Sequence, residues 1–279
     1  MKLELISIPT DSSPLDGLFY SVEHNDAKRS LPAALLFHGN TMNFYTGSLR
    51  FLPPALSAIG MPSLAFNRRG HDILAIRNSR LAEGAAFQTA AQAIEDNRLA
   101  AGWLAQRGFS SPVVIGHSNG GMLAVQHVAS HPDTRALVLL SAHCGGRDMV
   151  PRASAAGLLA QDRVAEFTEK ATAMVSKGKG GELMLLPGWW YAITAESFLD
   201  QLENLPDVLA LASQIRCPVL YIRGDQEPRD LYPAELFAVR CPSACEVRIL
   251  KNCDHFYNGV EEEVSSVVAS WLGKTLHLD

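Results

Sequence analysis

The sequence predicts an α/β fold, a doubly wound and mostly parallel sheet with helices on both faces. Short apolar runs at residues 33–37, Ser63–Phe66, 112–115, Ala136–Leu140 and 218–222 show no polar alternation, as strands covered on both sides require. Between them, apolar residues recur at helical spacing: Phe87, Ala90, Ala91, Ile94, Ala101 and Leu104, and later Val260, Val264, Val267, Val268, Trp271 and Leu272. Strand and helix in alternation give parallel strands joined by right-handed crossovers. A chain of 279 residues, 47% hydrophobic and 19% charged, can bury the core of one such domain with an insertion.

In chain order, residues 3–8 and 15–23 alternate apolar and polar side chains, with Asp16-Gly17 as punctuation, and read as antiparallel edge strands. The buried runs and their helices follow. Residues 147–213 break the alternation: helical patterns, the flexible Lys177-Gly178-Lys179-Gly180-Gly181 and the aromatic Pro187-Gly188-Trp189-Trp190-Tyr191 appear, but no convincing buried strand. This stretch reads as a helical lid inserted into a core made of 1–146 and 214–279. The last helix has Asn258 as a cap, Glu261, Glu262 and Glu263 in its first turn, and Gly273 after its last apolar residue.

Composition excludes several classes of function. A formal net charge of -5 with scattered Lys and Arg leaves no basic footprint for nucleic acid or an anionic membrane. No window reaches the roughly 18 apolar residues of a membrane span, so a soluble, cytoplasmic protein is expected. Five cysteines without CxxC spacing read as structural thiols, and no metal is implied. The glycines at 116, 120 and 121 do not match GxGxxG, and no acidic residue ends the next strand, so no cofactor is implied either. The expected partner is a small-molecule substrate, with a homo-oligomer left open.

Open parallel sheets bind ligands at the carboxyl ends of their strands, and four such ends carry chemistry. His38-Gly39-Asn40 follow the first run, and Gly224-Asp225-Gln226-Glu227 follow 218–222. Asp254-His255-Phe256 follow Val247-Arg248-Ile249-Leu250. Gly116-His117-Ser118-Asn119-Gly120 follow 112–115 and lead into the helical Gly121-Met122-Leu123-Ala124-Val125. A serine between glycines at a strand-to-helix turn can stand on backbone too tight for neighbouring side chains, which makes Ser118 the candidate nucleophile. Its hydroxyl needs a base at neutral pH, and the imidazole of His255 can accept that proton and return it to a leaving group. A carboxylate would fix the imidazole tautomer.

Together these motifs resemble the α/β-hydrolase family over nearly the whole chain: an HGx turn, GxSxG, a GxxE acid turn and DH before the last helix, in that order. The stretch HGNTMNFYTG at 38–47, with Asn67-Arg68-Arg69-Gly70-His71-Asp72, also resembles a bacterial subgroup of that family. The resemblance implies a metal-independent serine hydrolase. A carboxylic ester hydrolase is favoured, acting through an acyl-enzyme on a small ester with an apolar acyl or alcohol part. Backbone amides of Asn40 and Asn119 would hold the oxyanion. The family's acid falls three residues beyond the glycine, at Glu227, with Asp225 and Asp148 as alternatives. An ion pair with Arg223 or Arg229 is the purely structural reading of these acids.

Several assignments stay open at this level. Trp189, Trp190 and Tyr191, with Met184, Leu185 and Leu186, form a candidate substrate pocket under the lid or simply its core. Arg68 and Arg69 either meet a substrate carboxylate or pair with internal acids such as Asp72. His38 is expected to orient the oxyanion loop and His117 to line the turn, whereas His24, His127, His131, His143 and His277 read as surface or packing residues. The same residues would also serve amide, lactone, thioester or carbon-carbon bond hydrolysis, or a non-catalytic small-molecule-binding protein.

Overall fold

The uninterrupted apolar runs become the interior of an eight-stranded sheet in the computed structural model, which describes residues 1–22, 32–76, 80–188 and 192–278. The strands are β1 (Lys2–Ile8), β2 (Leu15–Ser21), β3 (Ala34–Phe37), β4 (Ser63–Phe66), β5 (Val113–His117), β6 (Ala136–Leu140), β7 (Val219–Gly224) and β8 (Cys245–Leu250). Their spatial order is β1-β2-β4-β3-β5-β6-β7-β8. From β3 onward the pairs are parallel, while β2 is antiparallel to both β1 and β4. Every residue of β3 through β7 is buried, which is why those runs carry no alternation.

The N-terminal pair departs from the sequence expectation in two ways. β1 is a rim strand, but β2 lies inside, between β1 and β4. Asp16 and Gly17 are strand residues rather than punctuation: Gly17 pairs with Ile6 and Phe66, where a Cβ would lie 2.5 Å from the Ala65 carbonyl oxygen. The glycine permits close strand approach.

Helices cover both faces. On one, α1 (Ser48–Ala58) and α9 (Glu261–Leu276) pack together over Leu36, Ala65, Ile115, Val138 and Ile222. On the other, α2 (Ala90–Gln106), α3 (Asn119–Ser130) and α8 (Ala234–Arg240) cover Leu35, Phe37, Val114, Leu139 and Tyr221. α9 keeps its three glutamates in the first turn, but its ends differ from expectation. Asn258 gives its side-chain amide to Asp254 instead, and Val260 is the cap residue, without a side-chain bond. Gly273 lies within the helix, which runs to Leu276 and ends with His277 in the left-handed conformation, φ 53° and ψ 51°.

Residues 147–213 contribute no described strand to the main sheet. They form α4 (Met149–Ala155), α5 (Val164–Ser176), α6 (Ala195–Glu203), the single turn α7 (Val208–Leu211), and a short antiparallel ribbon of Leu183–Leu185 with Ala192–Thr194. α5 packs on α6, burying Phe167, Ala171, Met184, Ile193 and Phe198. The segment is tied to the start of α2, where the Ala90 N–H donates to Asp200 Oδ2 at 2.6 Å and the Thr194 N–H donates to Ala86 O at 2.8 Å. Trp189, Trp190 and Tyr191, the candidate pocket aromatics, lie outside the described residues, as do Glu23 and His24. Among the described residues no helix is long and apolar enough to cross a membrane, and all five cysteines are free.

Candidate active site

The carboxyl ends of β3, β5, β6 and β7 meet the loop after β8 along one edge of the sheet. At the end of β5 the chain turns into α3 through Ser118, whose φ of 56° and ψ of -119° are rare for an L-residue. Tertiary bonds hold it there: the Ser118 N–H donates to Leu140 O at 2.9 Å, and the Gly121 N–H donates to Ser118 O at 2.9 Å. A Cβ on Gly116 would run into the Gly120 carbonyl oxygen, and one on Gly120 into the Phe37 carbonyl oxygen. These two glycines let the Ser118 turn press against the end of β3.

Ser118 Oγ lies 3.0 Å from His255 Nε2, and His255 Nδ1 lies 2.6 Å from Glu227 Oε1. A carboxylate only accepts, so Nδ1 carries the imidazole proton and Nε2 presents its lone pair to the hydroxyl. The other carboxylate oxygen, Oε2, accepts from the Gly224 N–H at 2.8 Å and the Ser141 hydroxyl at 2.6 Å. Ser141 gives its proton to Glu227 and therefore accepts from the Tyr257 hydroxyl at 2.7 Å. Donors thus run from Tyr257 through Ser141 to Glu227.

The competing acids are elsewhere. Asp225 is exposed and accepts the Cys253 N–H at 3.2 Å, and Asp148 is exposed and pairs with Arg152 at 2.9 Å. Nor does the Glu227 carboxylate pair with its neighbouring arginines: Arg223 and Arg229 both reach Glu235, at 3.1 and 2.9 Å, and Arg223 donates only to the Glu227 backbone carbonyl, at 3.3 Å. Asp254 fastens the His255 loop by accepting the Phe256 N–H at 2.9 Å and the Asn258 N–H at 3.1 Å. The His117 ring packs on the His255 ring, centroids 5.0 Å apart, and its Nε2 donates to His255 O at 2.9 Å. Burial pushes the His117 pKa down to about 3, so this support stays neutral.

Asn40 sits in the turn after β3, and Asn119 is the first residue of α3. The β3 turn passes so close that a Cβ on Gly39 would lie 3.3 Å from Ser118 Cβ. Among the described residues, neither the Asn40 nor the Asn119 backbone N–H donates to a protein acceptor. Buried His38 braces the turn: its Nδ1 donates to Gly39 O at 2.8 Å, and its Nε2 accepts the Arg68 N–H at 3.1 Å. Burial, then the charge of Arg68, pushes the His38 pKa well down and keeps it neutral.

The two arginines after β4 divide. Arg69 pairs with Asp96 at 2.7 Å and with Asp11, whereas Asp72 engages His71 and Asn43. Arg68 is fully buried, donates to His38 O at 2.6 Å and reaches Asn119 Oδ1 at 3.5 Å, and has no carboxylate in ion-pair range among the described residues. Burial pushes its pKa down to about 10.

A cavity of about 130 Å³ opens at Ser118 and His255, with Met42, Met149, Leu231 and Phe256 as its apolar wall and Asn40, His143 and Tyr232 among its polar lining. The Ser118 hydroxyl and His255 imidazole in its wall, with the Glu227 carboxylate behind the ring and the Asn40 and Asn119 amides at the turns, suit attack on a carbonyl carbon.

Residues 34–267 match the model of the alpha/beta hydrolase family. The chain belongs to that family. It is a hydrolase, and solved structures share its fold end to end. Est1E from Butyrivibrio proteoclasticus with bound ferulic acid superposes with a TM-score of 0.70 at 20% identity, covering 98% of this chain and 99% of that one. The thermostable carboxyl esterase of Bacillus coagulans gives 0.69 at 14% identity, covering 99% of each chain. GrgF, an alpha/beta hydrolase from Penicillium sp. sh18, gives 0.72 at 14% identity, covering 99% and 98%. Among curated proteins none matches the chain in sequence.

Sequence reasoning missed residues around this candidate site. Ser141 and His143 follow β6 directly, the same kind of strand-end position that singled out the other loops. His143, expected at the surface or in packing, is buried in the cavity wall. Tyr232 and Tyr257 had no local signal, because only tertiary packing brings them to the site.

Proposed function

We propose that the chain is a carboxylic ester hydrolase with Ser118 as nucleophile, His255 as general base and acid, and Glu227 as the residue that orients the imidazole. The observation that carries this reading is the continuous line from Ser118 Oγ through His255 to Glu227, at 3.0 and 2.6 Å. His255 Nε2 takes the hydroxyl proton as Oγ bonds to the ester carbonyl carbon, and the Asn40 and Asn119 amides receive the oxyanion. The same Nε2 then protonates the departing alkoxide. Water, deprotonated by His255, releases the acid from the acyl-enzyme.

Residues 147–213 act as the lid in this scheme, with Met149 already in the cavity wall. A cavity of about 130 Å³ suits a short acyl group or a single ring, since an engineered cavity of about 150 Å³ in another protein binds benzene. The carboxyl esterase name of the Bacillus coagulans fold neighbour fits an ester rather than an amide substrate. The test is hydrolysis of short p-nitrophenyl esters together with labelling by a fluorophosphonate. Turnover, and label on Ser118 that is lost in Ser118→Ala, are expected; ester inertness with an unlabelled serine would overturn the assignment.

A further inference from the structure

Arg68 is a fully buried cation whose Nε and Nη1 meet no partner among the described residues. Burial pushes its pKa only to about 10, so the guanidinium keeps its charge near neutral pH. Asp96 acts on it through space but uses both oxygens for Arg69, Oδ2 accepting the backbone N–H and Oδ1 accepting Nε–H, each at 2.8 Å. Arg68 Nη2 also lies 3.5 Å from the side-chain oxygen of Asn119, the first residue of α3. A helix N-terminus is itself positive, so a cation here adds to the cost of burying charge without an acid in ion-pair range.

The bonds Arg68 does make converge on the two turns that carry the Asn40 and Asn119 amides. Nη2 donates to His38 O at 2.6 Å, and that carbonyl lies against the start of α3, where a Cβ on Gly120 would be 2.5 Å from it. The Arg68 backbone N–H donates to His38 Nε2 at 3.1 Å, which leaves the ring proton on Nδ1, and Nδ1 donates to Gly39 O at 2.8 Å. The described chain has no cis peptide, so Gly39 O and the Asn40 N–H point to opposite sides of one planar unit. Holding the carbonyl on the His38 ring therefore turns the Asn40 N–H away from that ring, and this N–H donates to no protein acceptor among the described residues. Arg68 thus fixes the plane of one amide through His38 and reaches the residue that bears the other.

We propose that Arg68 is a positioning residue for the oxyanion: it braces the Asn40 and Asn119 turns against each other and keeps behind them a positive charge that finds its counter-charge only when the tetrahedral intermediate forms. The inference rests on the ester hydrolase reading above. Arg68 acts through His38 and the two turns rather than by touching the substrate. Its effect falls on the transition state, because a neutral ester carbonyl gains little from a cation behind the turns and a developing oxyanion gains more. The unfavourable burial of the charge in the free enzyme is then relieved at the step being catalysed.

Arg68→Met and Arg68→Lys test this with p-nitrophenyl butyrate as substrate and 1-propaneboronic acid as inhibitor. Ser118 Oγ adds to the boron as its proton passes to His255, giving a tetrahedral anionic adduct that mimics the intermediate. Rates are taken per active site titrated with a fluorophosphonate, so a loss of folded enzyme alone does not register. Arg68→Met is expected to lower kcat about 10- to 100-fold, the range of one lost hydrogen bond to a charged group, with KM within about threefold. Boronate affinity should fall by about the same factor as kcat. Arg68→Lys keeps the charge and should lose only about three- to tenfold in each quantity, and it carries the test if the methionine variant folds poorly. Unchanged boronate affinity in the folded variants, a kcat of Arg68→Met within about threefold of wild type, or a lysine variant no better than the methionine one would overturn the proposal while leaving the hydrolase reading intact. No ester turnover by wild type would remove the reading on which it rests.

Discussion

Replacing Glu227 by glutamine tests the proposed relay at its most constrained point. The carboxylate faces three donors: His255 Nδ1–H on Oε1, and Gly224 N–H with Ser141 O–H on Oε2. An amide must place its NH2 on one side or the other. On the Oε2 side it would oppose the Gly224 backbone N–H, which cannot reverse. The NH2 is therefore driven toward His255, where it donates to Nδ1 and forces the ring proton onto Nε2. That tautomer cannot take the proton of Ser118. In serine proteases the comparable acid-to-amide change lowers kcat about 10⁴-fold for this reason, which is about 5.5 kcal/mol of transition-state free energy. A loss of 10³- to 10⁴-fold in kcat with KM within about threefold is expected for Glu227→Gln on p-nitrophenyl butyrate, with unchanged circular dichroism. Asp225→Asn, at an exposed carboxylate that accepts the Cys253 N–H, should stay within about threefold. Refutation would be a folded Glu227→Gln enzyme within tenfold of wild type, or an equal loss in Asp225→Asn.

Two further perturbations read the surrounding network. Ser141→Ala removes the hydroxyl between Glu227 and Tyr257; unfolding free energy should fall by about 1–2 kcal/mol and kcat by about three- to tenfold, and no change in either urea unfolding or turnover would contradict the network. Buried His117, His127 and His143 are each pushed down to about 3, mainly by desolvation, so in the native state they stay neutral where the unfolded chain protonates them below about 6.5. The unfolded state then binds more protons in that window, and stability is lost as pH falls from about 6.5 toward 3, with a slope of up to about 4 kcal/mol per pH unit for three protons. Urea unfolding at pH 7, 6 and 5 measures it, and a flat profile would show that these rings are not held neutral.

Where the sequence misled, a nearby side chain or strand had overridden a local preference. Asn258 has the composition of a helix cap, but Asp254 captures its amide to hold the His255 loop. Gly17 looks like a turn residue, yet it serves the close passage of β4 beside β2. Arg68 and Arg69 are indistinguishable in sequence: one finds Asp96 and Asp11, the other remains buried behind the Asn40 turn without an acid in ion-pair range among the described residues.

By itself, the sequence determined the sheet, its parallel sense and the turn at Ser118, because uninterrupted apolar runs, helical periodicity and glycine spacing act over a few residues. The family resemblance put Glu227 ahead of Asp225, but the physical reason it faces His255 lies in the tertiary structure. Asp225 and Glu227 are two positions apart at the end of β7, equal in charge and both in reach by composition. What separates them is the Ser141 hydroxyl, 86 residues away in sequence, and the Gly224 N–H, which together satisfy one Glu227 oxygen and turn the other toward the imidazole. The polar lining of the cavity was hidden for the same reason. His143 and Tyr232 come to line one cavity only once β6 and β7 lie side by side.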